Sequence, residues 1–276
     1  MSAGRLVLVA TPIGNLGDLS ARQVEALRAA GAIACEDTRR TGRLLQHAGV
    51  PAPRLLVVNE HTEREQAEAV VGLLRQGVDV AVVTDAGTPG ISDPGERLVR
   101  AAVDAGLEVT CVPGPSAAVA ALVVSGLPTS RWVMEGFLPR SGSARTERLA
   151  DVRHERRTIV LYEAPHRLAR TLADLAEVLG GPRRVVVARE LTKLHEEVWR
   201  GTLGEALERA HEDEPRGEHV IVVEGAPAPE PVTQDTIAEA LRQALAGGQT
   251  KRDAVLDVAA ALAVPRNQVY DVALRL

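Results

Sequence analysis

Four stretches of this sequence set polar, proton-active side chains next to small or apolar ones. Glu36-Asp37-Thr38-Arg39 puts two carboxyl groups beside the basic pair Arg39-Arg40, directly after the apolar run Ala32 to Cys35. Adjacent carboxylates there can orient a hydroxyl and take its proton, although Asp followed by Thr at a strand end is also ordinary turn and cap chemistry. Asp85 ends another apolar run in the same way; a charge at that position calls for a partner such as an amine-bearing ligand or a set of backbone donors. Tyr162-Glu163-Ala164-Pro165-His166-Arg167 and Arg189-Glu190-Leu191-Thr192-Lys193 each follow a strand-like run, and Gly217-Glu218-His219 opens one. Lys193, Arg189 and Arg167 suit phosphate or ribose contacts, while His166 reads either as acid or base or as a helix cap.

Three small-residue loops must hold whatever these groups act on. They are Thr11-Pro12-Ile13-Gly14-Asn15, the Asp85 to Pro94 segment, and Pro113-Gly114-Pro115-Ser116, each after an apolar run. Gly removes the Cβ and Pro fixes φ, so backbone can pass close to a bound molecule. In an open α/β sheet ligands sit outside the carboxyl ends of the strands, where all three loops begin. Neither a Walker A sequence nor G-x-G-x-x-G is present, so the ligand does not depend on a cradled phosphate.

The elements that position these loops alternate strand and helix. Strands are predicted over Leu6 to Ala10, Ala32 to Cys35, Arg54 to Val58, Val78 to Val83 and Glu108 to Val112. Helices are predicted over Ser20 to Ala30 with Ser20 as N-cap, Thr41 to Ala48, Glu63 to Gln76 and Glu96 to Ala105. After Gly126-Leu127-Pro128 strands recur at Trp132 to Phe137, Thr158 to Tyr162, Arg184 to Arg189, Glu197 to Gly201 and Val220 to Glu224. The runs flanking Leu191 to Glu196 are too close for a crossover helix, so part of this second sheet is antiparallel. The expected organisation is two α/β domains, 1–126 and 127–226, with a third segment at 227–276. That segment starts in a proline-rich linker, Gly225 to Pro231, then carries helices over Gln234 to Ala246, Thr250 to Ala263 and Asn267 to Leu274. Two readings of it stand: a helix-turn-helix unit that meets nucleic acid, or a helical appendage that packs on the body.

Bulk properties exclude several classes. The 276 residues, 45% of them hydrophobic, suffice for packed domains, and the longest apolar stretch, Ala117 to Val124, is too short to span a membrane. Arg5 runs straight into Leu6 to Ala10 without a leader pattern, which reads as a cytoplasmic protein. Cys35 and Cys111 read as buried core thiols, and neither they nor the histidines have metal-ligand spacing, so no metal is predicted. A net charge of −5 argues against gripping nucleic acid with the whole surface, but arginines cluster at Arg39, Arg40 and Arg43 and from Arg140 to Arg157. Each cluster alone is a solvated helix face.

Together these signatures closely resemble the tetrapyrrole methylase-like superfamily. Within it they are similar to the branch that methylates a cytidine 2'-hydroxyl in the decoding region of 16S rRNA. The resemblance rests on Thr11-Pro12-Ile13-Gly14-Asn15-Leu16, Glu36 to Arg39, Asp85 to Pro94, Pro113 to Ser116, Glu135-Gly136-Phe137-Leu138-Pro139, Tyr162-Glu163, His166-Arg167 and Arg189 to Lys193, in order along nearly the whole chain. Porphyrin-modifying relatives begin with a G-x-G-P-G type loop where this chain has Thr11 to Asn15, which favours RNA over a tetrapyrrole.

The resemblance implies S-adenosylmethionine in a cleft between two α/β domains, in a homodimer. It places Asp85, Ala86, Gly87, Thr88, Pro89, Ser116 and Ala117 at the methionine and ribose portions, and backbone around Tyr162, Glu163, Glu218, His219 and Val220 at the adenine. Pro12, Gly14 and Asn15 form the acceptor floor, with Glu36, Arg39, Arg40, Arg140, Arg167 and Arg189 as further RNA contacts. The implied partner is 16S rRNA in the small ribosomal subunit, and the terminal helices become an RNA-contacting segment. A ribose hydroxyl needs a proton acceptor, for which Asp37, Glu36 and Glu190 are available, with Lys193 or Arg39 to steady the alkoxide. A tetrapyrrole methyltransferase and a ligand-sensing DNA-binding regulator are the alternatives; the acidic balance and the weakly basic 267–276 stretch oppose the second.

Overall fold

The computed structural model describes residues 2–59, 62–227 and 232–276. The last part of the expected linker, 228–231, lies outside the described residues. Residues 1–226 form one compact unit and 227–276 another.

The first half of the larger unit is a parallel sheet of β1 (Leu6–Val9), β2 (Ala32–Cys35), β3 (Arg54–Val57), β4 (Val80–Val82) and β5 (Val109–Val112), in the order β3-β2-β4-β1-β5. Crossover helices α1 (Ala21–Ala29), α2 (Thr38–His47), α3 (Glu63–Arg75) and α4 (Glu96–Asp104) connect the strands. Side chains alternate along a strand, so each face has its own core. Leu27, Ile33 and Leu45 fill the α1/α2 side, and Leu6, Leu74 and Leu98 the α3/α4 side.

Caps fix the helix starts. Ser20 and Gln23 form a capping box at α1. The Asp37 carboxylate accepts from the backbone N–H of Arg39 at 2.7 Å and of Arg40 at 3.4 Å, so α2 begins at Thr38 rather than at the expected Thr41. Glu63 caps α4 from another helix: its buried Oε1 accepts from Gly95 N at 2.8 Å and Arg97 N at 2.9 Å.

α5 (Ala117–Ser125) leads to the second sheet, with order β6-β7-β10-β8-β9: β6 (Trp132–Phe137), β7 (Thr158–Glu163), β8 (Arg184–Arg189), β9 (Glu197–Thr202) and β10 (His219–Val223). β6 and β7 are parallel and the remaining pairs antiparallel, as the short 191–196 connection requires. Helices α6 (Ser143–Arg153), α7 (Leu168–Leu179) and α8 (Leu203–Glu212) cover one face with Ile159, Leu161, Leu172 and Ile221, while α5 covers the other with Val160, Val186 and Val222.

One feature departs from expectation. Cys35 is buried but Cys111 is exposed, because β5 is the edge strand of its sheet. Helix α5 is apolar on all sides, and its outer face leaves Val119, Val123 and Val124 at 47%, 65% and 41% exposure.

The smaller unit packs α9 (Gln234–Ala246), α10 (Lys251–Ala261) and α11 (Arg266–Ala273) around Ile237, Leu241, Val255, Val258 and Val269. A tight turn with Ala263 at φ 50° joins α10 to α11.

Candidate functional site

Because the first sheet is parallel, the loops after β1, β2, β4 and β5 all emerge at one edge. They are stitched together there. Thr11 and Gly87 exchange backbone hydrogen bonds of 2.8 and 3.1 Å, a bridge that Gly87 reaches at φ 88°. Thr88 Oγ1 donates to Pro115 O at 3.2 Å, and the amide of Asp85 donates to Glu36 Oε2 at 3.0 Å. Gly114 lies against the buried Gln23, whose Nε2 donates to Ala10 O at 2.9 Å. The second sheet joins through Tyr162, whose hydroxyl accepts from Ala118 N at 3.3 Å.

Between these loops and the second sheet lies a cleft of about 340 Å³. Ile13, Ala86, Gly87, Thr88, Ser116, Ala117, Tyr162, Ala188, Leu191 and Val220 form its mostly small or apolar walls. Asp93, Glu190, Lys193 and Glu218 supply its charge. A second hollow of about 460 Å³ adjoins it, lined by Pro12, Gly14, Leu16, Arg40, Arg43 and Asp85. Ile13, Ala86, Lys193 and Glu218 belong to both.

Lys193 is the centre of that shared wall. Its Nζ donates to Glu190 Oε1 and to Glu218 Oε2, each at 2.8 Å, and Glu190 Oε1 also accepts from Glu218 N at 2.9 Å. The loop pays in backbone strain for this arrangement: Glu190 has φ 49° and Thr192 φ 67°. Two glycines give it room, since a methyl on Gly14 would overlap Lys193 Cγ and one on Gly217 would lie 2.5 Å from Glu190 Cγ. Burial alone would raise the Glu190 pKa, but the bonds from Lys193 and from the Glu218 amide outweigh it and hold Glu190 below its usual range. Burial would likewise depress the Lys193 pKa, and its two carboxylate partners reverse the sign. The pair is an ionised carboxylate with a secured ammonium.

The other acids go the opposite way. Desolvation, then the charges of Glu36, Asp85 and Glu218, push the Asp93 carboxyl up to about 7. Desolvation also raises Glu36 and Asp85, with Arg40 opposing; Arg40 Nε lies 3.4 Å from Asp85 Oδ2, and Asp85 Oδ1 is buried without a hydrogen-bond partner.

Of the residues singled out from the sequence, Ala86, Gly87, Thr88, Ser116, Ala117, Tyr162, Glu163, Glu190, Lys193, Glu218, His219 and Val220 line the cleft. Pro12, Asp85 and Arg40 line the adjoining hollow. Pro89 and Arg39 line neither, and Glu36 acts through its bond to the Asp85 amide. Asp37 caps α2, and Asn15 caps a short turn by accepting from Gly17 N at 2.9 Å. Arg140 is exposed. Arg167 pairs with Glu163 at 3.2 Å, and Thr171 Oγ1 donates to the other Glu163 oxygen at 2.5 Å, so both side chains are tied to α7. Arg189 and the ring of His219 share the strand faces of Val187 and Ile221, toward α7 and α8.

Asp93 is not distinguished individually by the sequence. The signal was its place in Ile91-Ser92-Asp93-Pro94, a polar residue inside a loop already marked as a ligand loop, with Ser92 at φ 59°.

Residues 5–207 match the family described as Tetrapyrrole (Corrin/Porphyrin) Methylases. A protein of Synechocystis sp. named ribosomal RNA small subunit methyltransferase I is 46% identical over 275 residues, 99% of this chain and 98% of the relative. The protein of that name from Escherichia coli O157:H7 is 45% identical over 280 residues, 99% of this chain and 96% of the relative. Among solved structures, the methyltransferase CobJ is similar in fold, with a TM-score of 0.63 at 20% identity over 83% of this chain and 97% of that one. The cobalt precorrin-4 methyltransferase CbiF gives 0.59 at 18% identity over 80% and 94%. Those identities speak for the fold alone, whereas the family match and the long, similar relatives settle membership: the chain belongs to the tetrapyrrole methylase family and, within it, to the group named ribosomal RNA small subunit methyltransferase I.

Proposed function

We propose that the chain is an S-adenosylmethionine-dependent methyltransferase that modifies the 2'-hydroxyl of one cytidine in the decoding region of 16S rRNA, within the small ribosomal subunit. The observation that carries this reading is Lys193, an ammonium held by two carboxylates in the wall shared by a ligand cleft and an adjoining polar hollow.

The cleft fits the cofactor. Small side chains at Ala86, Gly87, Ala117 and Ala188 leave room for a flat adenosine, and Asp93, Glu190 and Glu218 complement a molecule carrying an ammonium and a sulfonium. Bound there, S-adenosylmethionine supplies an electrophilic methyl group on cationic sulfur. The chain's own residues supply position and a path for the proton. Gly14 and Pro12 shape the floor of the adjoining hollow, where Arg40 and Arg43 meet the RNA backbone. Glu190, kept ionised, accepts the hydroxyl proton. Lys193 spends two of its three donors on Glu190 and Glu218 and keeps the third for the developing alkoxide. Asp37 acts at one remove, fixing the start of α2 and so the placement of Arg40.

The same reading makes the enzyme a cytoplasmic homodimer. Val119, Val123 and Val124 on α5 form an exposed apolar face on a helix with no polar side, which a second copy would cover. The α9–α11 unit then serves as an additional RNA contact.

Purified enzyme incubated with methyl-labelled cofactor and small subunits from cells lacking the gene should label the RNA. Label on an added tetrapyrrole, with none on the subunits, would overturn the reading.

A further inference from the structure

On the far side of the second sheet from the cleft is a cavity of about 490 Å³. Its floor is the strand face that carries Arg189, His219 and Glu197, and its roof is α7 and α8. The residues are in register: His219 is opposite Arg189, and Arg189 is opposite Glu197.

The floor is incompletely satisfied. His219 is 5% exposed, and its Nδ1 has no hydrogen-bond partner. Arg189 Nε is also buried without one, its nearest carboxylate being Glu197 at 3.7 Å. Buried polar atoms of this kind are rare unless something else satisfies them. Burial, then the Arg189 charge, lowers the His219 pKa against a Gly217 backbone hydrogen bond and the Glu190 and Glu197 charges, so the neutral ring has one donor and one acceptor nitrogen beside Arg189.

The walls indicate what completes the pair. Trp199 lines the cavity, with Arg209 Cζ 6.0 Å from its ring centroid. Glu197 and Glu214 pair with Arg209 and Arg216, Arg189 also faces Glu197, and with Asp213 on the wall three acids stand against three arginines, so the charges balance and an anion gains little. A planar, uncharged heterocycle with donors and acceptors on its edge gains stacking and both hydrogen bonds. The chain has five aromatic residues, and Trp199 is the one whose ring lines this cavity.

We infer that the cavity over Arg189, His219 and Trp199 is a second nucleotide subsite, taking an unpaired base of the same RNA whose ribose is methylated where the cleft meets the adjoining hollow. It rests on the RNA methyltransferase reading. His219 also borders the cleft, so the second sheet is the wall between the two sites.

The test uses full-length Trp199→Leu, Trp199→Phe and Arg189→Gln enzymes on small ribosomal subunits. Loss of one stacked base should raise KM about tenfold in Trp199→Leu, with kcat and cofactor affinity unchanged, and Trp199→Phe should restore most of it. Arg189→Gln should raise KM several-fold. Wild-type KM in both Trp199→Leu and Arg189→Gln would overturn the inference. If the unaltered enzyme transfers no methyl to subunits, the functional reading itself has failed. Fluorescence of Trp199 in a Trp132→Phe background then decides the cavity alone. Saturable quenching by a single-stranded oligoribonucleotide, tighter than by cytidine or adenosine monophosphate, supports an RNA subsite. Equal quenching by the monophosphates assigns the cavity to free nucleotide instead, and no quenching by either leaves no nucleobase site; both results overturn it.

Discussion

A Cβ on Gly14 would overlap the side-chain stem of Lys193, so the floor of the polar hollow and the wall it shares with the cleft are built against each other. A methyl at position 14 has nowhere to go unless Lys193 moves. Gly14→Ala should therefore cost transfer about as much as removing the ammonium does. Lys193→Met should lower kcat on the order of 10²- to 10³-fold, the usual cost of losing one preorganised donor, with cofactor affinity changed only a few-fold. Steady-state kinetics beside equilibrium cofactor binding separates the two effects. A Lys193→Met enzyme of normal kcat would remove Lys193 from the chemistry.

Asp93 sets a pH dependence. With its carboxyl at about 7, it is half ionised near neutrality, and a cationic cofactor favours the ionised form. Cofactor affinity should therefore fall as pH drops from 8 to 6, approaching tenfold per unit at the low end, and Asp93→Asn should bind more weakly at pH 8 but lose this slope. Calorimetric titration at several pH values reads both.

The same shift has a stability consequence of the opposite sign. A carboxyl whose folded pKa lies above its ordinary 3.8 adds no cost below that value; the cost grows as pH rises toward 7 and is constant above. Ligand-free Asp93→Asn should thus be more stable than the parent at pH 8 by roughly 1 to 2 kcal/mol, after allowing for solvent screening, and no different at pH 3.5. Denaturant melts at the two pH values give the comparison.

Glu63 carries a structural load that the sequence does not advertise. Its buried carboxylate caps α4 through Gly95 and Arg97. Glu63→Ala should cost about 1 to 3 kcal/mol, which for a unit of this size lowers Tm by several degrees while leaving cofactor affinity little changed.

The apolar outer face of α5 predicts the oligomeric state. Val123→Asp places a charge at the centre of that face and should convert a dimer into a monomer in sedimentation, with the fold intact by circular dichroism.

Much of this architecture can be read from the sequence because the strands are short apolar runs bounded by unmistakable loops. Ser20 as a cap, the bounds of β2 and the antiparallel part of the second sheet all follow from local patterns. What local patterns do not carry is which face a residue occupies when both faces are buried. The β8 segment Arg184–Arg189 is apolar at every interior position, so nothing in it tells the cleft side from the α7/α8 side, and Arg189 emerges on the latter. Cys111 illustrates the matching problem at an edge, since an apolar strand does not announce that its sheet ends there. Asp37 shows a third case, in which one side chain has both a capping and a chemical reading and the geometry commits it to two backbone amides.

The central claim is methylation of a ribose rather than a base or a tetrapyrrole. It is tested most directly by digesting small-subunit RNA, after reaction with isotopically labelled cofactor, to nucleosides and identifying the labelled one by mass spectrometry. The account predicts a single labelled species, 2'-O-methylcytidine, formed on the order of 10²- to 10³-fold more slowly by the Lys193→Met enzyme. A label on the cytosine base, or on several nucleosides without preference, would contradict it.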